Sequence, residues 1–395
     1  MSRWMATATL PIDWFKTEAR VIWAGKSPGQ RFQRPVHASF KQEDKVGENI
    51  WRAYGKAVEK KDLKKALQIL EKVQLVEDWR QSPTFLETQE QEDEEFLIPS
   101  PPQDLRSLLD ACISATDMGL VARTYEFLQA KGLLSNFGKC KNIPAESSRD
   151  VTPAAFLEIT GLEASKLSPK KWGLDGAPAF YLLSAIVGFN LLTNSGIEIR
   201  PFLFSILAFS IVDAVYLGGT GLASILISWP PYKRRVFTHE AGHVLVAYLL
   251  GCPVRGVILD PIEAMRQGVQ GQAGTQFWDS MLEGELRQGR LTRPSIDRYS
   301  MILFAGIAAE ALIYGEAEGG ENDENLFKAI VSVLRPPWSP SQISSQARWA
   351  VLQSYKLLRE HKEALDTVIK ALYEGETFSN VIKDMEYVLC YENPL

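Results

Sequence analysis

The sequence predicts a mainly α-helical protein with one small β-ribbon. Apolar residues recur at helical spacing in residues 50–75, again in residues 105–134, and in three amphipathic runs within residues 347–389. Two short runs, residues 254–260 and 271–277, are instead typical of strands and predict the ribbon. The chain of 395 residues is long enough for two or three domains at about 150 residues per domain.

The composition is that of an ordinary folded protein, with 46% hydrophobic and 23% charged residues. The net charge of −5 provides no general basic surface, so a nucleic acid is not expected as a partner. The four cysteines lie far apart without a C-x-x-C pair, which excludes a disulfide framework and a zinc site built from cysteines. They are Cys112, Cys140, Cys252 and Cys390. This cysteine usage suits a reducing compartment.

The N-terminal residues 1–40 are predicted to be a transit peptide. Residues 1–41 contain seven basic and two acidic side chains, and they lack the apolar core that secretory signals carry. The run Val36-His37-Ala38-Ser39 resembles a chloroplast processing site, with cleavage near Ala38. The alternative is a flexible basic tail. We expect a chloroplast protein on this basis.

A small helical module with an acidic insert is predicted over residues 41–135. Residues 107–134 resemble one helical hairpin of the tetratricopeptide or pentatricopeptide kind, with the first helix ending near Asp117 and the second ending before Gly132. Residues 53–76 resemble a diverged second copy, separated from the first by an acidic, proline-rich insert. Fewer than three repeats do not form a self-sufficient solenoid, so we expect a docking module for a protein partner and not an RNA reader.

After a linker at residues 136–175, two apolar stretches predict a membrane hairpin at residues 176–232. The stretch 176–197 has no charged side chain, and the stretch 201–232 has one, Asp213. A helix needs about 20 mainly apolar residues to cross a bilayer. Basic residues flank both outer ends, which would place the two flanks on the same side of a membrane. These residues are Lys166, Lys170, Lys171, Lys233, Arg234 and Arg235. The alternative is a pair of buried core helices.

An H-E-x-x-H motif opens the next apolar helix at His239, Glu240 and His243. Side chains four positions apart share one helix face, so both imidazoles project toward one point. Two imidazole nitrogens, each about 2 Å from the ion, form half of a tetrahedral zinc site. Glu240 is rotated by about 100° from His239 and can act as general base on a water at the metal. The motif predicts zinc as cofactor and Glu240 as catalytic residue. The alternative is two histidines satisfied within a core helix beside a surface acid.

The third zinc ligand is expected to be a carboxylate. The chain has four histidines, and His361 is the only further one once His37 is removed with the leader. No histidine follows His243 at the spacing of the metzincin motif. Spacing alone does not identify which of the 48 acidic residues is the third ligand.

Two segments downstream resemble the second signature of the FtsH peptidase family (M41), whose first signature is H-E-A-G-H. They are residues 305–316 and the run Gly319-Gly320-Glu321-Asn322-Asp323. The resemblance extends over about residues 233–395 and implies a helical zinc peptidase domain of the M41 type there. It also implies that residues 271–277 form the edge strand beside the cleft. An extended substrate can pair its backbone with such an edge whatever its sequence.

The resemblance also assigns roles to individual positions. It implies that Asp323 is the third zinc ligand beside His239 and His243. Glu240 matches the catalytic base of the family, and Glu310 matches a motif acid that orients one of the zinc ligands from behind that ligand. Polypeptides are the substrates that this resemblance implies.

The sequence departs from the family in its ATPase module. No G-x-x-x-x-G-K-[S/T] motif occurs in the 395 residues, so no ATP site is found. Helical and apolar segments stand where the family has its AAA ATPase module. This layout resembles the plant and cyanobacterial FtsH-like proteins without an ATPase. Threading of folded substrates by ATP hydrolysis is therefore not expected.

Together these features predict a zinc-dependent endopeptidase of the chloroplast. It would be anchored in the thylakoid or envelope membrane, with its peptidase domain facing the stroma. Its expected substrates are unfolded or flexible segments of membrane proteins, cleaved without its own ATPase in protein quality control or biogenesis. The alternative is a catalytically weak or inactive scaffold or assembly factor of the chloroplast membrane that keeps the FtsH-like fold.

Overall fold

The structure is a computed structural model that describes residues 43–80, 104–142, 151–167, 230–259 and 274–392, together with residues 208 and 212. The predicted transit peptide and nearly all of the predicted membrane hairpin lie outside these residues. Within the described ranges, no helix combines the length and the apolar character needed to cross a bilayer. The fold is mainly helical, as predicted, and the described residues contain one two-stranded sheet.

Two helix pairs form the N-terminal region of the described chain. They are α1 (Glu43–Glu59) with α2 (Leu63–Arg80), and α3 (Leu108–Cys112) with α4 (Met118–Ala130), where a 3-10 turn at Leu105–Ser107 leads into α3. Each pair agrees with the helical periodicity of the sequence. Apolar side chains at that spacing, such as Tyr54, Leu67, Leu108 and Tyr125, are buried in the core.

The second pair differs from the prediction at its turn. Its first helix ends at Cys112, so the predicted end near Asp117 is wrong. Asp117 instead caps the start of α4, because its carboxylate accepts a hydrogen bond from the Gly119 amide at 2.8 Å. Gly132 follows α4 with φ of +70°, which confirms the predicted glycine after the helix.

A long helix, the ribbon and further helices form the rest of the described chain. In order, they are α5 (Pro153–Thr160), a 3-10 turn at Ala164–Leu167, α6 (Pro230–Leu249), β1 (Val254–Ile258), β2 (Gly274–Phe277), α7 (Ser280–Arg287), α8 (Arg293–Leu303), α9 (Ala305–Tyr314), α10 (Glu321–Val331), α11 (Pro340–Glu360), α12 (Lys362–Glu374) and α13 (Phe378–Glu392). The three predicted amphipathic helices are confirmed, and the two predicted strands are confirmed over Val254–Ile258 and Gly274–Phe277; residues 260 and 271–273 of the predicted strands lie outside the described residues.

Helix α6 lies at the centre of the fold and packs against α9 and α12. Residues 244–249 are fully buried, as expected of a helix that is apolar on all sides in its second half. Gly242 allows α9 to come close, because a Cβ at this position would lie 2.5 Å from the Ala305 carbonyl oxygen. The apolar residues of α6 therefore explain its burial, and Gly242 explains its short distance from α9.

The ribbon lies beside α6. Strands β1 and β2 are antiparallel, with Val257 opposite Thr275 and Ile258 opposite Gly274. The amide of Trp278 donates to the Pro253 carbonyl at 2.9 Å, so even-numbered residues of β2 direct their backbone groups toward β1. The backbone groups of the odd-numbered residues consequently point away from β1.

The N-terminal helices and the C-terminal helices share one continuous hydrophobic core. The hydroxyl of Tyr125 donates to the Val254 carbonyl at 2.8 Å, and the guanidinium of Arg255 donates to the Ile113 carbonyl at 2.6 Å and 2.9 Å. Both contacts attach the N-terminal region to β1. The division of the chain into domains stays a prediction.

Part of the segment predicted as a linker, residues 136–175, is attached to the C-terminal helices. The guanidinium of Arg348 donates to the Val151 carbonyl at 2.6 Å, and the Ala317 amide donates to the Lys166 carbonyl at 3.0 Å. The segment therefore contributes packing around α11 and around the loop before α10.

A buried carboxylate ties three parts of the fold together. Glu386 on α13 accepts hydrogen bonds from the backbone amide and the side-chain amide of Asn136, both at 2.9 Å. It also accepts a short hydrogen bond from the hydroxyl of Tyr248 on α6. Because all three residues are buried or nearly so, these donors have no solvent to replace a lost partner.

Replacing Glu386 with alanine is expected to lower the free energy of unfolding by about 2–4 kcal/mol, because buried donors are left without acceptors. Glu374→Ala, which removes an exposed glutamate from α12, should change stability by less than about 0.5 kcal/mol. Urea denaturation of the two variants measures the difference. Equal stability of both variants would contradict this role of the Glu386 cluster.

Candidate metal centre

Three side chains from two helices meet at one point. The Nε2 atom of His239 lies 3.1 Å from Oδ2 of Asp323, and the Nε2 atom of His243 lies 3.6 Å from the same oxygen. Donors about 2.0 Å from a tetrahedral zinc ion are roughly 3.3 Å apart. The two distances bracket that value, so His239, His243 and Asp323 form a group that fits a zinc ion.

Local structure places each of these side chains. His239 and His243 lie one turn apart on α6, with ring centroids 4.8 Å apart. Asp323 lies in the first turn of α10, where the helix dipole favours a negative charge. Gly320 precedes that turn with φ of +99°, a conformation that side chains other than glycine rarely adopt. This turn brings the loop to the imidazoles from a distance of about 80 positions in the sequence.

The Nδ1 atom of each imidazole, on the other side of the ring from Nε2, also forms a hydrogen bond. Nδ1 of His243 lies 2.8 Å from the Ile302 carbonyl oxygen, which can only accept a hydrogen bond. Nδ1 of His239 lies 2.8 Å from Oε1 of Glu310. In each ring Nδ1 therefore carries a proton, and Nε2 is the nitrogen that faces Asp323 and can bind a metal once it is deprotonated. This is the tautomer that a metal at the common point requires.

Glu310, which bonds His239, accepts several further hydrogen bonds. The residue is 1% exposed, and its carboxylate also accepts hydrogen bonds from the amides of Glu318 at 2.9 Å and Gly319 at 3.1 Å. The guanidinium of Arg235 donates to it at 2.9 Å. Burial alone would raise the pKa of Glu310, but His239, the Glu318 amide and the Arg235 guanidinium lower it. The carboxylate is thus held ionised behind His239.

Electrostatics at the site favour a cation. Burial alone would raise the pKa of Asp323, but the neighbouring His243 and His239 lower it below the usual range. Burial alone would lower the pKa of His239, but hydrogen bonds with Asp323 and Glu310 raise it well above the ordinary value. Two ionised carboxylates thus surround the imidazoles, which is the environment a divalent ion stabilises.

Glu240 lies on the same turn of α6 and faces a cleft of about 450 Å³. The cleft is also lined by both imidazoles, by Asp323 and by the backbone of β2. The carboxylate Oε2 of Glu240 accepts hydrogen bonds from the amide and the hydroxyl of Thr275, each at 2.7 Å. The structure therefore brings all five predicted site residues into one cleft or directly behind it.

Several contacts at the site are not foreseen by sequence reasoning. Arg235, counted above with the basic flank of the apolar stretch, instead pairs with Glu310 and with Glu318 at 2.7 Å. Its position four residues before His239, on the same helix face, is a signal that could have revealed it. Thr275 has no comparable signal, and the Ile302 carbonyl is a backbone group without a side-chain signature.

A glycine on α9 allows the helix to pack directly on His239. A Cβ at Gly306 would lie 2.3 Å from Nε2 of His239, far inside a van der Waals contact. A glycine inside a helix costs about 1 kcal/mol relative to alanine, so its presence in α9 requires a compensating reason. The close approach to His239 provides that reason.

Gly306→Ala is expected to weaken zinc binding by at least about 10–100-fold, because the added methyl group displaces the His239 ring. Gly284→Ala on α7 is the matched control, since a Cβ there meets no atom within 4 Å. Competition with a chromophoric chelator measures both affinities, and circular dichroism checks folding. Equal zinc affinity of the two folded variants would contradict the packing described for His239.

Comparison with known proteins gives partial matches to FtsH proteins. The chain is 34% identical over 113 residues to the ATP-dependent zinc metalloprotease FtsH 2 of Symbiobacterium thermophilum, covering 29% of the chain and 18% of that protein. It is 27% identical over 173 residues to the ATP-dependent zinc metalloprotease FtsH 2 of Sphaerobacter thermophilus, covering 37% and 25%. The chain thus spans about a fifth to a quarter of the length of these relatives. No protein-family model and no solved structure matches it. The matches support a distant relationship to FtsH proteins over part of the chain.

Proposed function

We propose that this protein is a zinc-dependent endopeptidase that hydrolyses peptide bonds in unfolded or flexible polypeptide segments. The observation that carries the proposal is the convergence of His239, His243 and Asp323 on one point, beside Glu240 in the same cleft. The partial similarity to proteins named as zinc metalloproteases supports the same class.

In the proposed hydrolysis, the residues of the cleft have different roles. His239, His243 and Asp323 would hold the zinc ion, which supplies a Lewis acid and brings the pKa of a bound water toward about 7. Glu240 takes a proton from the attacking water and passes it to the leaving amine. Glu310 and the Ile302 carbonyl hold the two imidazoles in orientation.

The edge of β2 is suited to an extended substrate. The Thr275 carbonyl and the backbone groups of Phe277 point away from β1, and both residues line the cleft, whereas the Thr275 amide is bonded to Glu240. A peptide that adds to this edge as a strand is recognised through its main chain, largely independently of its sequence. Such pairing requires a substrate segment without structure of its own, which is why we propose unfolded or flexible segments.

The remaining parts of the proposal rest on sequence features. The chain of 395 residues has no ATP-binding motif, so we propose cleavage without an ATPase of its own. The basic leader and the apolar stretches support a chloroplast membrane, thylakoid or envelope, with the peptidase region facing the stroma. A role in protein quality control or biogenesis follows from such substrates, and the N-terminal helices offer a surface for a protein partner. Alkaline extraction of organelle membranes tests the anchoring.

Cleavage of an unfolded protein tests the proposed activity. The purified full chain, loaded with zinc and without ATP, is expected to degrade a fluorescently labelled unfolded casein. Removal of zinc by a chelator should stop cleavage, and added zinc should restore it, because the ion supplies the Lewis acid. Addition of ATP should leave the rate unchanged.

The alternative is a scaffold that keeps this fold without turnover. The packing of the N-terminal helices on β1, next to the cleft, is the observation that favours a binding role. A folded protein that leaves the unfolded substrate intact, with zinc bound or not, would support the scaffold and overturn the peptidase.

A further inference from the structure

We propose that Thr275 is a positioning residue for Glu240, holding one carboxylate oxygen so that the other stays free to exchange a proton. This inference rests on the proposed peptidase function, and it assigns a role to a strand residue that neither the motif nor the zinc ligand set includes. Thr275 acts through Glu240, the residue that receives the hydrogen bonds of its side chain in the described part of the chain.

The hydrogen bonds define which oxygen is held. The amide and the hydroxyl of Thr275 both donate to Oε2 of Glu240, each at 2.7 Å. Oε1 accepts no hydrogen bond from any residue in the described part of the chain. Hydrogen bonds to a carboxylate are stronger than neutral ones, and two donors on one oxygen fix the orientation of the group. The arrangement therefore separates an anchored oxygen from a reactive one.

The strand lies directly against the carboxylate because of a glycine. A Cβ at Gly274 would lie 3.3 Å from each oxygen of Glu240, closer than most side chains tolerate. The φ of Gly274 is +138°, in a region that other residues rarely adopt. Gly274 thus allows β2 to approach α6 closely enough for Thr275 to reach Glu240 with both of its donors.

The position of Thr275 on the strand predicts which kinetic constant it controls. Its amide belongs to the edge of β2 that faces the cleft, but Glu240 already occupies that donor. Substrate pairing then depends on the neighbouring backbone groups, such as those of Phe277. Loss of the Thr275 hydroxyl should accordingly impair proton transfer and leave substrate affinity nearly unchanged.

Two substitutions separate the hydroxyl from the shape of the side chain. Thr275→Val keeps the volume and the backbone amide but removes the hydroxyl donor, whereas Thr275→Ser keeps that donor. With zinc-loaded full chain and unfolded casein, we expect kcat to fall about tenfold in Thr275→Val, with KM within about twofold of the parent protein. Thr275→Ser should stay within about threefold in both constants. The zinc content should be equal in all three proteins.

A surface threonine and an amide probe serve as controls. Thr367→Val removes an exposed hydroxyl on α12 that donates to the Glu363 carbonyl, and it should leave kcat unchanged. Hydrogen exchange reports the contact without turnover. The Thr275 amide should exchange at least about tenfold faster in Glu240→Ala than in the parent protein, because its acceptor is lost.

The outcomes distinguish this inference from the function on which it rests. A parent protein without zinc-dependent cleavage would overturn both. Cleavage that depends on Glu240 but proceeds at the parental kcat in Thr275→Val would overturn the role of Thr275 alone. A loss confined to KM, a loss shared by Thr275→Ser, or a loss of zinc in Thr275→Val would also overturn it.

Discussion

Replacing Glu240 with glutamine is expected to slow cleavage of an unfolded substrate by about 10²–10⁴-fold while zinc stays bound. Glutamine has nearly the shape of glutamate, but its amide cannot take a proton from the attacking water at neutral pH. The group of His239, His243 and Asp323 that could hold the zinc ion does not include Glu240, so metal content should not change. The measurement is kcat/KM on labelled casein together with zinc content per chain.

Glu321→Gln is the matched control for this substitution. Glu321 lines the same cleft, but it is exposed at the start of α10. The control should cleave at nearly the parental rate. If Glu240→Gln cleaved as fast as the control, the proposed general base would be wrong.

Replacing Asp323 with alanine is expected to abolish stoichiometric zinc binding. Two imidazoles from one helix turn supply only half of a tetrahedral site, and structural or catalytic zinc sites in proteins use at least three protein ligands. The loss of affinity should exceed the roughly 10–100-fold typical of outer contacts. Cleavage should disappear together with the metal.

Glu324→Ala is the control on the same helix. Glu324 forms an exposed ion pair with Lys328 at 2.9 Å and is not among the residues of the metal-binding group. This variant should bind one zinc ion per chain. Zinc affinity that is equal in Asp323→Ala and Glu324→Ala would contradict the ligand set.

Local patterns in the sequence predicted much of the fold and half of the site. The spacing of His239 and His243 fixes both on one face of a helix, and that geometry does not depend on the rest of the chain. Helical periodicity likewise predicted α11, α12 and α13, because each buries one apolar face. Periodicity places the turn at Asp117 wrongly, because it does not register that an aspartate before a helix caps the helix through its side chain.

Local patterns do not predict contacts between segments that are distant in the sequence. Asp323 meets His239 across 84 positions of the sequence, and the family resemblance identifies it where spacing does not. The bond between Asn136 and Glu386 joins residues 250 positions apart. Thr275 reaches Glu240 because β2 packs on α6, an arrangement that no local signal specifies. The leader and the membrane hairpin remain predictions, since both fall outside the described residues.

X-ray absorption at the zinc edge, recorded on the zinc-loaded full chain, tests the metal centre most directly. The structure predicts one zinc ion per chain, bound only by nitrogen and oxygen at about 2.0–2.1 Å, with two imidazoles among the ligands. The same spectrum should be absent from Asp323→Ala. A chain that takes up no zinc, or a zinc ion with sulfur ligands at about 2.3 Å, would contradict the site formed by His239, His243 and Asp323.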